Sequence, residues 1–173
     1  MFSISLPNER AEPKQRGRPI THGHASLDVT ASEPDCPILR QIDDALITLR
    51  GEHRRAMRIL DLGCNEGAWL IRAVLHARML GFVAIEGCGL DVAPAKIALA
   101  RRTAATVSDV RIGLAFKAAN IADALAEEDD RAADIVLVHY DMFTGLPLAD
   151  HERVVAELVR VTAGTLIWAG GAQ

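Results

Sequence analysis

Cysteine is nearly absent, and what there is does not pair: Cys36, Cys64 and Cys88 are odd in number and form no C-x-x-C motif. A disulfide framework and a zinc knuckle are therefore unsupported, and a reducing cytoplasm is the expected setting. Aromatic residues make up only 4% of the chain, which disfavours an extended base-stacking platform. Positive charge is not in excess either. Nineteen Lys and Arg stand against 23 Asp and Glu, a net charge of −4, whereas a protein that coats phosphate backbones is usually basic. No apolar run is long enough to cross a bilayer, and the start, MFSISLPNER, lacks the basic and apolar regions of a signal peptide. A soluble protein of the cytoplasm, with no membrane and no broad nucleic-acid partner, is the expectation.

What remains is an ordinary globular composition of 50% hydrophobic and 24% charged residues in 173 positions, enough for one domain with a real core. Residues 1–34 hold four of the seven prolines (Pro7, Pro13, Pro19 and Pro34), scattered charge and no apolar period, and read as a flexible N-terminal arm. Its His22 and His24 lack a third metal ligand, so no metal is expected. Residues 35–173 read as the folded domain. Asp35 can cap a first helix whose opening turn accepts Pro37, and Ile38, Ile42 and Leu46 recur at four-residue spacing.

Thereafter short β-type runs alternate with helical stretches. The runs are RILDLG (58–63), CGLDV (88–92), VRIGLAFKAA within 110–119, ADIVLVHY (133–140) and GTLIWAG (164–170). FVAIEG, before the second run, belongs either to that strand or to the connection. Strand and helix in alternation imply an α/β fold, with a doubly wound, mostly parallel sheet and helices on both faces.

The sharpest local feature is DLGCNEG. An apolar strand enters a glycine turn at Gly63, and a helix opens at Gly67, so a ligand can approach bare backbone and unpaired N–H groups. Asn65, between the glycines, is one of the few other residues that accept a left-handed backbone. The segment does not supply G-x-G-x-x-G, and Asp61 puts a carboxylate where dinucleotide-binding domains usually carry an apolar residue.

DLGCNEG resembles motif I of the class I S-adenosylmethionine-dependent methyltransferases, and the likeness extends over most of the chain from Asp35 onward. CGLDV resembles that family's second motif, which implies that Asp91 accepts hydrogen bonds from both ribose hydroxyls of S-adenosyl-L-methionine, with Val92 beside it. KAANI, residues 117–121, resembles the segment that meets the adenine. The resemblance gives Asn120 the role of accepting from the adenine amino group, although the family more often has Asp there, and it sets Ile121 against the ring. It also implies a sheet of about five strands in the order 3-2-1-4-5, with Asp61, Gly63, Cys64, Asn65 and Gly67 around the cofactor and Asp61 near its cationic methionyl end. Cys64 and Cys88 also read as small buried packing residues.

The crevice of such a sheet lies between strands one and four, so the segment 138–143 borders the transferable methyl group. There His139 is the candidate general base; it could equally bond backbone or contact the cofactor. Tyr140 and Asp141 either shape the acceptor pocket or cap the next helix. A small-molecule acceptor is the favoured reading. An RNA methyltransferase, served by Arg50, Arg54, Arg55 and Arg58, and a cofactor-binding protein without transfer activity stay open. The fifth strand carries no charge or proline and lies late in the chain, so a homodimer or a partner chain pairing with its edge is expected, with the N-terminal arm as the intramolecular alternative.

Overall fold

The computed structural model describes residues 36–144 and 146–169. The N-terminal segment expected as an arm lies outside them, as do His22, His24 and Asp35. Eleven elements follow one another among the described residues: α1 (Pro37–Gly51), β1 (Ala56–Leu62), α2 (Ala68–Met79), β2 (Ala84–Asp91), α3 (Pro94–Ala104), β3 (Ile112–Ala118), α4 (Ile121–Ala126), β4 (Ala133–His139), α5 (Asp141–Thr144), α6 (Leu148–Val161) and β5 (Thr162–Ala169). The strands form one sheet in the order β3-β2-β1-β4-β5, and every neighbouring pair is parallel. This is the doubly wound α/β sheet expected from the alternation of runs.

Period-two alternation divides the core into two layers, because successive strand residues point to opposite faces. Ile59, Ile85, Ile135, Leu137 and Ile167 pack with Ile42 and Leu46 of α1, Leu70 and Val74 of α2, and Ile97 and Ala100 of α3. Their neighbours Leu60, Leu62, Leu90, Val136 and Val138 pack on the other side with Ile121 and Leu125 of α4 and Val154 and Leu158 of α6. All seven residues of β4 are buried, as a central parallel strand covered on both faces requires.

Several boundaries differ from the sequence expectation. The N-cap position of α1 is Cys36, not Asp35, and Pro37 occupies the first turn, where its missing N–H is no loss. Part of FVAIEG joins β2, which begins at Ala84. β5 begins at Thr162, because α6 runs into it directly: the Thr162 hydroxyl donates to Leu158 O at 2.6 Å and closes the helix as the backbone extends.

Three of the four arginines at the entry to β1 make structural contacts. Arg54 pairs with Asp134 at 2.7 Å, and Arg58 meets Glu128 with two contacts of 2.6 and 3.0 Å. Arg50 bonds Arg54 O and lies over the Phe82 ring, 5.3 Å from its centroid. These contacts sit at the start of β1, the opposite end of the strand from the glycine turn.

Candidate cofactor site

The turn 63–67 leaves β1 with three residues in the left-handed region at every second position: Gly63 (φ 72°), Asn65 (φ 52°) and Gly67 (φ 78°). Asn65 pays for the unfavourable backbone with side-chain bonds. Its Nδ2 donates to Gly63 O at 2.9 Å, and its Oδ1 accepts from Lys96 Nζ at 2.6 Å. The turn is tied to the end of β2. Gly63 N and Cys64 N both donate to Leu90 O, while Asn65 N donates to Asp91 Oδ2 at 3.0 Å. Ala93 N completes the grip on Asp91 through Oδ1 at 2.8 Å. Each carboxylate oxygen thus holds one backbone N–H and keeps further acceptor capacity.

Above this turn lies a cavity of about 170 Å³, lined by Gly63, Asn65, Asp91, Val92 and Ile121 of the expected set. The lining also includes Lys96, Asp141, Met142, Thr144 and Leu146. Asp141 was a candidate from the sequence. Lys96 was not, since a lysine in a helix beginning at Pro94 carries no local signal until the fold sets it against Asn65. Larger hollows flank α3 and α6 but lie away from the glycine turn and Asp91.

The other expected residues lie outside the cavity lining. A Cβ on Gly67 would meet the Phe116 ring at 2.5 Å and Ala100 at 3.2 Å, so this glycine faces the β3–α3 packing and opens α2 as its N-cap. Cys64 is buried, and its thiol is pushed well above the ordinary range by burial and then by Asp61 and Asp91. It stays protonated and acts as a packing residue, as Cys88 does. Asn120 Oδ1 accepts from Ala122 N at 2.9 Å and Asp123 N at 3.3 Å, capping α4. Both lone pairs of that oxygen are engaged, which leaves the amide NH₂, a donor, as the free polar edge.

Asp61 and His139 form an unusual pair among the described residues. Asp61 is wholly buried and His139, at the end of β4, is 9% exposed. His139 Nε2 lies 3.1 Å from Asp61 Oδ1, an ion-pair distance. The contact is off-line for a hydrogen bond, so both Asp61 oxygens and Nε2 are buried without a hydrogen-bond partner. Burial pushes the Asp61 carboxyl up from its ordinary range, against His139, which pulls it down. For His139 burial works downward, but Asp61, with Asp141 and Asp91 behind it, outweighs burial and raises the imidazole. The pair together holds a proton to higher pH than a free imidazole. Among the described residues no cluster of three metal-ligating side chains occurs.

The sequence profile of the methyltransferase domain family matches residues 59–164, from β1 into β5. The chain belongs to this family. S-adenosyl-L-methionine is the cofactor that accompanies it. Solved structures of similar fold include the cyclopropane synthase MmaA2 from Mycobacterium tuberculosis, at 19% identity and TM-score 0.56, covering 75% of this chain and 41% of that one. The kinase–methyltransferase WbdD is similar at 19% identity and TM-score 0.54, over 73% of this chain and 28% of that one. A Methanococcus maripaludis protein described as an S-adenosylmethionine-dependent methyltransferase is similar at 17% identity and TM-score 0.52, over 78% of this chain. This methyltransferase domain spans 58% of that protein's length. No curated protein matches the chain. No helix among the described residues is long and apolar enough to cross a membrane.

Proposed function

We propose that this methyltransferase domain is a cytoplasmic enzyme that binds S-adenosyl-L-methionine in the cavity above the turn 63–67 and transfers its methyl group to a small-molecule acceptor. The observation that carries the reading is the coupling of Asp91 to the turn through Asn65 N, which places a carboxylate with spare acceptor capacity beside backbone that a ligand can approach closely. The residues fit the cofactor's parts. Asp91 suits a pair of ribose hydroxyls, Val92 and Ile121 offer apolar contact to a ring, and Asn120 has its amide NH₂ to offer a ring nitrogen. The lone-pair acceptor role expected for Asn120 Oδ1 passes to that NH₂, because the oxygen is committed to α4. At about 170 Å³ the cavity is smaller than the roughly 300–1,000 Å³ of ordinary ligand pockets, so it would hold only part of the cofactor.

The cofactor supplies an electrophilic methyl on a sulfonium. The chain's share of the work is to orient the acceptor for in-line attack and to take its proton where it has one. Asp141, Met142 and Thr144 wall the side of the cavity next to β4, and His139 is the base. Asp61 cannot touch a ligand from its buried position and acts through His139. The low aromatic content, the acidic net charge and the structural use of Arg50, Arg54 and Arg58 favour a small acceptor over RNA. Calorimetry with S-adenosylmethionine and S-adenosylhomocysteine, then a methyl-release assay over a panel of metabolites and tRNA, tests both steps. Binding of both ligands and turnover on a metabolite are expected. Failure to bind either ligand would sink the reading, and turnover on tRNA alone would replace the acceptor class.

A further inference from the structure

We propose that the Asp61–His139 pair holds one proton that a cation entering the adjoining cavity displaces, so that S-adenosylmethionine binds with proton release while uncharged-sulfur S-adenosylhomocysteine does not. This rests on the proposed cofactor site and deepens it. A fully buried carboxylate with neither oxygen hydrogen-bonded is expensive as an isolated anion. A protonated imidazole 3.1 Å away offsets its charge. The pair lies just behind the cavity lining: a Cβ on Gly63, a lining residue, would lie 3.3 Å from His139 Cβ, and Asp141, two residues beyond His139, lines the cavity itself.

The surroundings favour one extra positive charge and resist two. Asp91 at the end of β2 and Asp141 of α5 attract a cation, Lys96 of α3 already contributes one charge at the lining, and Cys64 in the turn remains a neutral thiol. The described residues of β5 carry no ionisable group. The first-turn amide of Leu70 in α2 favours the Asp61 anion, at a geometry short of a full hydrogen bond. With an imidazolium in place, a sulfonium at the cavity would be a second unit charge beside it; with the proton gone, Asp61 becomes the counter-ion to the incoming cation.

The consequence reaches the transfer step. Nε2 is the nitrogen nearer Asp61, and the carboxylate's field keeps the hydrogen on that side of the ring, so deprotonation leaves Nδ1 as the acceptor. As the bond between acceptor and methyl carbon forms and the sulfur–methyl bond breaks, the acceptor's own proton passes to Nδ1. The positive charge moves from sulfur to imidazole, and the charge of the site is conserved. The acceptor class is therefore one whose attacking O or N carries a proton.

The test is calorimetry of the full chain between pH 5.5 and about 7, where ligand α-amino groups stay protonated, in buffers of different ionisation enthalpy. About one proton should be released per S-adenosylmethionine bound and none per S-adenosylhomocysteine, with affinity for the first rising about tenfold per pH unit below the titration of the pair. Affinity for the second should stay flat. Equal proton counts for the two ligands, or none for either, would overturn the inference. His139→Gln should abolish the proton release while binding persists, and Asp61→Asn, if folded, should do the same; a folded variant that still releases the proton also overturns it. Absence of binding by both ligands at every pH removes the cofactor site itself and the inference with it, a result distinct from binding without proton release.

Discussion

Asp91 does two jobs at once, and a substitution there tests both. Its carboxylate holds Asn65 N and Ala93 N and, in the proposed site, the ribose hydroxyls. Charge-assisted hydrogen bonds are worth roughly 1.5–3 kcal/mol each, so Asp91→Ala should lower affinity for S-adenosylhomocysteine at least tenfold in titration calorimetry. A folded Asp91→Ala protein that binds as tightly as the parent would remove Asp91 from the site. The turn gives an opposed pair. Gly67→Val combines a positive φ with a Cβ 2.5 Å from the Phe116 ring, so it should destabilise the fold itself, lowering the thermal midpoint. Asn65→Gly keeps the left-handed backbone available and gives up only the bonds to Gly63 O and Lys96; its stability should stay within about 1 kcal/mol of the parent by denaturant titration. The left-handed positions 63, 65 and 67 were legible because glycine and asparagine announce them. The Asp61–His139 contact was not: 78 residues separate the partners, and only the parallel pairing of β1 with β4 brings them together.

At the level of elements, the five strands were legible because each is a short apolar run set between longer helical stretches, and errors fell at the ends. The start of β2 was ambiguous since Val83 and Ala84 are exposed, so the apolar signal extends past the strand. The single turn α5 was invisible, being too short to show a period. What ties elements together was also hidden. Asp134, within β4, accepts from Arg54 at 2.7 Å and from Arg58 N at 2.9 Å, joining the loop before β1 to the start of β4. No sequence pattern pairs an aspartate with arginines some 80 positions away. Asp134→Ala leaves a backbone donor and a guanidinium without their partner in a mostly buried place, and should destabilise the fold by about 2–3 kcal/mol in chemical denaturation. Because these contacts lie at the amino ends of the strands, affinity for S-adenosylhomocysteine should be unchanged in the folded fraction. A selective loss of binding would mean that the two ends of the sheet are coupled.

For the molecule as a whole, the question is what lies along the β5 flank of the sheet. Among the described residues β5 pairs only with β4, and its run Thr162–Ala169 carries no charge and no proline to discourage a further strand. Beside it, α6 exposes Leu148, Val155 and Val159, and Trp168 is 45% exposed while stacking at 5.9 Å on Phe143. An uncharged edge can pair with its own copy across a two-fold axis without electrostatic penalty, and the apolar face of α6 would then be covered in both subunits. The expected result is a dimer whose sedimentation coefficient rises with concentration over the micromolar range. The structure also says where to cut the contact. Ile167 is fully buried and Leu166 packs into the layer under α6, so charge there would harm the fold. Val159 is 71% exposed, and Val159→Lys should leave the thermal midpoint within about 1 °C of the parent, as exposed substitutions do, while shifting the protein toward monomer. A parent that sediments as a monomer across the whole range would rule out self-pairing at this edge, and a dimer untouched by Val159→Lys would move the interface elsewhere on the surface.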